Sequence, residues 1–325
     1  MTKKPKFLHG VHRWWVLLLI VLSIIAAQFV SPVQPHIQMA PEKLIEEPLF
    51  NLGPLGDFYL FNTIPTLILT IILIVIFAWA VKRSIEKNDM VPKGISSTVE
   101  MLIETVYNMT ESSTGARWAK QIFPWFMTIV IYVLLANLLK LIPGFESIGV
   151  LHHSEHGHAI EQVAGNVFTI VKDEGGYILT PFLRGISVDL NFTAALALIA
   201  VVMIQVIGVK AHGLNYFAKF INVKTLFSKP FFGAMDFIVG LLELISEFAK
   251  ILSFAFRLLG NMFAGMVLSA LVISMLPVFA PSAIYLFELF IGIIQAFVFG
   301  LLTMVFMAQA TMGHGSDHES AEAHS

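Results

Sequence analysis

The sequence predicts an all-α protein that crosses a membrane several times. Three observations carry this. Hydrophobic residues make up 57% of the 325-residue chain and charged residues only 13%, about half the share usual in soluble domains. The apolar residues gather in runs long enough to span a bilayer, which takes about 20 residues each. Basic residues collect between these runs, at 3–13, 82–93, 117–120 and 210–229. A net charge of -2 gives no electrostatic handle for nucleic acid. The absence of cysteine excludes disulfides, thiolate metal ligands and thiol nucleophiles. There is no phosphate-cradling glycine loop, nucleophile elbow or HExxH motif. The sequence therefore predicts no cofactor and no autonomous catalytic site.

The first apolar run, Trp14 to Val30, follows Lys3, Lys4, Lys6 and Arg13. It makes residues 1–30 a signal sequence or signal anchor, with Ala26-Ala27 as a weak cleavage point. Residues 31–60 follow as an extracytoplasmic segment. The second run, 61–81, ends at Lys82-Arg83. Over 93–114, Val99, Leu102, Ile103 and Val106 recur at helical spacing opposite Glu100, Glu104 and Glu111. This predicts an amphipathic helix on the membrane surface. Spans at 122–142 and 185–209 flank a long polar outer loop, 143–184. The run 232–275 holds no proline; Pro277 and Pro281 break it, and 283–310 returns. One helix over 232–275 would reach roughly 66 Å, against a hydrocarbon core about 30 Å thick. The hairpin is therefore long and strongly tilted, or its first arm is broken. The acidic, histidine-bearing tail 313–325 reads as disordered.

The segments 31–60 and 143–186 hold only Lys43, Lys172 and Arg184 as basic residues. The positive-inside rule then puts the C-terminus in the cytoplasm, and the N-terminus too unless the signal is cleaved. Six crossings agree with that alternation.

Arg257 lies deep in an apolar stretch, FAFRLLGNMFAGMVL, Phe254 to Leu268. An arginine at the centre of a membrane helix costs about 2.5–3.5 kcal/mol on insertion scales. Snorkelling to the interface serves arginines near helix ends, and long apolar flanks on both sides disfavour it here. Ser253, Lys250, Ser246, Glu243 and Asn261 all share the helical face of Arg257. The same segment carries Asp236 and Glu247. A polar seam that merely glues helices needs only two or three serines. Three ionisable groups and an asparagine in phase point instead to an ion path.

On the returning segment Glu288 and Gln295 share a face, with Gly292 between them; Thr303 and Gln309 continue it more loosely. Gln295 alone reads equally as interhelical glue. Asp189 and Asn191 open the fourth span as a helix cap or as part of a vestibule. Asn137 and Lys140 read as interfacial. The run HHSEHGH, His152 to His158, reads as a solvated insertion rather than a zinc or copper site.

The run FRLLGNMFAG, the upstream Glu243 and Lys250, the downstream QAFVFGLLT and the stretch PFLRGISVDLNFTAALAL, Pro181 to Leu198, closely resemble the a-subunit family of F-type ATP synthases. The resemblance covers most of 60–310. Residues 1–30, the loop around 145–175 and the tail after 312 lie outside it. It implies a stator subunit beside a rotating ring of c subunits, and the long N-terminus suggests a bacterial plasma membrane rather than an organelle. A b-subunit peripheral stalk and the remaining ATP synthase subunits would be its other partners. Protons would enter by one half-channel, load a carboxylate on the ring, and leave by a second after nearly a full turn. Arg257 matches the family's arginine between the half-channels, and Asn261 and Gln295 match polar neighbours of it. Glu288 matches an ionisable position in the outer half-channel, and Glu243 one near the cytoplasmic exit.

The chain departs from many relatives in carrying Met266 where they have Glu or His, and from some in carrying Phe306 where they have Tyr. The first departure leaves Glu288 to serve the outer path. The coupling ion, H+ or Na+, stays open because the ring carries that site. The chemistry fits the implied roles. A guanidinium stays protonated and cannot relay a proton, yet it favours the ionised form of a carboxylate within about 4–6 Å. The rival readings are an ion-coupled secondary transporter, a quinone-linked proton-pump membrane subunit, or a channel. They find no inverted repeat and no filter-like loop in this sequence.

Overall fold

A computed structural model describes residues 14–15, 17–22, 24–25, 40–45, 47–51, 53–87, 95–142, 144–164, 167–220, 230–276 and 280–312. Most of residues 1–30, expected to be a signal sequence or anchor, and the tail 313–325 thus lie outside the described residues. Among the described residues, five helices are long and apolar enough to cross a membrane: α1, Thr63–Lys87; α2, Ile95–Leu139; α3, Leu190–His212; α4, Pro230–Met275; and α5, Ala280–Thr311. They correspond to the five spans expected after residue 60.

The chain divides into two compact units. One comprises residues 1–67, 137–188 and 260–293; the other comprises 68–136, 189–259 and 294–325.

In the second unit, the expected surface helix and the third span form one element, α2. They join at Gly115, whose φ of 74° and ψ of 157° leave the helical region. Only glycine adopts such a conformation without strain. The core takes Phe126 and Val133 from α2, Ile204 and Ile207 from α3, Phe254 and Leu258 from α4, and Phe299, Met304 and Met307 from α5. The Phe254 ring lies 4.9 Å from Phe299 and 5.8 Å from Phe306, centroid to centroid. At Gly300, a methyl group would overlap the side chains of Val130 and Phe126, so these α2 side chains seat directly against the α5 backbone in a notch that the glycine leaves. Elsewhere the helices expose apolar side chains, among them Ile71, Val75 and Trp79 on α1, as lipid-facing surfaces do.

Among its described residues, the first unit contains two hairpins. The small strands β1, Phe50–Asn51, and β2, Asp57–Phe58, pair antiparallel under a stacked Phe50–Phe58 ring pair. The larger hairpin pairs β3, Gly149–Ala164, with β4, Val167–Pro181. This corrects the reading of 143–184 as a plain polar loop. Val167, Thr169, Val171, Tyr177 and Ile178 are β-formers, and the register slips near Gly157 and Gly175, where glycine interrupts the ladder. Arg184 anchors the chain that follows. Its backbone N–H donates to Thr66 Oγ1 at 3.1 Å, and its guanidinium donates to the Ala40 carbonyl at 2.6 Å.

Candidate ion path

The geometry of α4 begins with its helical phase. Its buried face carries Gly240, Glu247, Phe254, Leu258 and Gly265, while Ile238, Ile245, Leu252 and Phe256 are exposed. The polar stripe runs along one border between these faces. Glu243, Lys250 and Arg257 are half-buried there, and Ser246, Ser253 and Asn261 are exposed. The Arg257 guanidinium donates from Nη2 to Ser253 Oγ at 3.3 Å, one turn back. Arg257 is therefore held along its own helix, beside an apolar surface.

In the first unit the polar side chains converge on Glu288 of α5, which is buried. Its Oε1 accepts a hydrogen bond from Ser269 Oγ of α4 at 2.6 Å. Its Oε2 lies 3.5 Å from Lys140 Nζ, just past the end of α2, and the two side chains are 7% and 9% exposed. A second network adjoins it in sequence. Asn137 Nδ2 donates to the Gly292 carbonyl at 3.2 Å, and Asn137 Oδ1 accepts from Ser187 Oγ at 2.6 Å. Nearby, the Gly185 N–H donates to Glu146 Oε1 at 3.0 Å.

In the second unit the focus is Glu247, also buried. Its Oε1 takes an ion pair from Lys250 Nζ at 2.9 Å, and its Oε2 accepts from Gln205 Nε2 of α3 at 2.8 Å. Lys250 Nζ also stands 5.0 Å above the Phe306 ring of α5, a cation–π arrangement. A tyrosine at 306 would put its hydroxyl at that ring; phenylalanine leaves only the π face to the ammonium.

Gln295 is buried on α5. Asp189 is the N-cap of α3, its carboxylate accepting from the Asn191 N–H at 2.9 Å, while the Asn191 side chain is exposed. The cap expected of this pair is thus formed.

Asn137 is 1% exposed and Lys140 is packed against a buried carboxylate, so both are interior to the protein whatever their depth in the bilayer. Glu247 fell outside the stripe because it is about 80° from Arg257 around the helix. Its signal was an acid three residues before Lys250 on one helix. Ser269, Ser187 and Gln205 carry no signal of their own and enter only through tertiary packing. The histidine run lies on β3, where the His153 ring meets Tyr177 edge-on at 5.4 Å. No metal-ligating group of three or more comes together among the described residues.

Residues 64–308 match the family described as ATP synthase A chain. The "ATP synthase subunit a" of Desulforamulus reducens is 31% identical over 263 residues, covering 77% of this chain and 79% of that protein. The "ATP synthase subunit a" of Mycobacterium tuberculosis is 29% identical over 243 residues, covering 74% and 82%. The "ATP synthase subunit a, sodium ion specific" of Propionigenium modestum is 29% identical over 258 residues, covering 78% and 74%.

Proposed function

Because the chain belongs to the ATP synthase A chain family, and is thus a multi-pass, non-catalytic, ion-conducting membrane subunit, we propose that it forms two half-channels with Arg257 between them. The observation that carries this is the pair of buried carboxylate clusters. Glu288 with Ser269 and Lys140, and Glu247 with Lys250 and Gln205, both draw on α4. Along that helix Arg257 falls between Lys250 and Ser269.

In this reading protons enter from the outer side by way of Glu288 and pass to a carboxylate on the c-subunit ring. Gln295 and Asn261 are the polar neighbours of the transfer point, and Asp189 and Asn191 lie toward the outer mouth. The loaded carboxylate, now neutral, turns through the bilayer. It returns to the opposite side of Arg257, where Glu243, Ser246, Lys250 and Ser253 lead its proton to the cytoplasm. Arg257 has two tasks. Its cation favours the ionised carboxylate, so the arriving proton leaves. It also repels any hydronium that would run straight from one path to the other. Its place at the edge of an exposed apolar surface suits both, since the ring would approach there. The b-subunit stalk and the remaining subunits hold this stator still. The setting is a bacterial plasma membrane with the C-terminus in the cytoplasm.

The test is ATP-driven proton pumping in inverted vesicles, with assembly checked separately. Arg257→Ala is expected to abolish it. Arg257→Lys is expected to abolish it too, because an ammonium lacks the planar fork and loses its proton more readily on burial. Normal pumping by the lysine variant would overturn the role of Arg257.

A further inference from the structure

The pair Lys140–Glu288 bears on which ion the outer path admits. A carboxylate buried in a membrane protein is the natural ligand for a hard cation such as Na+. Here the place beside it is occupied. Lys140 Nζ lies 3.5 Å from Glu288 Oε2, and both side chains are more than nine-tenths buried. A metal cation bound to that oxygen would rest within ion-pair distance of a fixed positive charge, with little water between to screen it.

The neighbouring oxygens do not make good the deficit. A hard cation needs several oxygen ligands to replace its hydration shell. Ser269 Oγ already donates to Glu288 Oε1. Asn137 Oδ1 is engaged by Ser187 Oγ, and the Gly292 carbonyl by Asn137 Nδ2. A proton needs no such shell. It forms one O–H bond on the carboxylate and leaves when that bond breaks, handing the proton on to water or to the next carboxylate.

We propose that Lys140 is a specificity-determining residue, a tethered cation that fills the cation place at Glu288 and makes the outer path conduct protons while turning Na+ away. The proposal rests on the reading of Glu288 as part of that path. Lys140 acts through Glu288 and is a positioning residue; it does not itself meet the ring.

The experiment uses the assembled membrane complex in vesicles stripped of the catalytic head. Passive proton conductance is measured as Na+ replaces choline at constant ionic strength. The unchanged protein should be indifferent to Na+. In Lys140→Met, which keeps the length and apolar stem but removes the charge, conductance should fall severalfold as Na+ rises. In Lys140→Arg, which keeps the charge, the indifference should return. A loss of packing alone would lower conductance equally with and without Na+, and so would not produce this pattern.

Na+ indifference in an assembled Lys140→Met complex would overturn the proposal, as would Na+ inhibition of the unchanged protein. Glu288→Leu separates this from the underlying reading. If that variant conducts normally, Glu288 is off the path. If it conducts poorly while Lys140→Met is Na+-indifferent, the path stands and the selectivity role of Lys140 falls.

Discussion

Removing Glu288 alone does two things at once. It takes a titratable carboxylate from the outer path, and it strands the Lys140 ammonium in a dry site. Breaking a buried pair by deleting one partner typically costs about 3–5 kcal/mol. Glu288→Leu is therefore expected to lower both the yield of assembled complex and the proton flux. Adding Lys140→Met should recover most of the yield and none of the flux. Detergent-extracted complex and passive conductance, measured on the same membranes, decide it; flux restored by the double variant would show that Glu288 was only structural. Met266→Leu should change little, since Met266 lies about half a turn from Arg257. At this scale the sequence revealed what belongs to a single helix. The Arg257 stripe follows from phase alone, because 100° per residue needs no knowledge of neighbours. The burial of Lys140 and Asn137 is not legible, because it depends on contacts with α5, which no local pattern on α2 encodes. Glu247 was passed over for its phase, although its partner Lys250 was already in hand.

The helices carry two further predictions. Gly115 joins the two parts of α2 in a backbone conformation that costs other residues about 1–3 kcal/mol. Gly115→Ala is expected to lower the thermal stability of the solubilised complex, or to straighten α2 and misplace the surface helix. An unchanged melting curve would show that the bend is not required. On α4, Glu243→Cys, Ser246→Cys and Lys250→Cys should react with a water-soluble thiol reagent, and Leu244→Cys and Phe248→Cys should not. The latter pair is exposed in the isolated chain and is expected to face lipid or an apolar partner, where a thiolate does not form. The natural lack of cysteine makes the comparison clean; equal labelling of both sets would mean that the stripe is no channel wall. Element existence was legible throughout the spans, since each is a long apolar run. The β3–β4 hairpin was not, because its charges and histidines hid the strand alternation. The Gly165-Asn166 dipeptide between Ala164 and Val167 was the signal available for it.

For the whole molecule, the distribution of basic residues predicts opposite exposures for the hairpin and the C-terminal end. An epitope placed in β3–β4 should be reached by antibody from the outer side of intact spheroplasts, and one placed after Thr311 only after permeabilisation. The reverse pattern would invert both proposed half-channels. The notch at Gly300 has a consequence for how such a protein holds together. Leu against lipid is as comfortable as Leu against Leu, so greasiness does not drive these helices into contact within a bilayer. Shape must do it instead, through the many small attractions that close approach allows. Where α2 meets α5, one added methyl would wedge the two apart, touching no charge and no proton. Harm from such a change would appear as a subunit that never takes its seat, not as one that leaks.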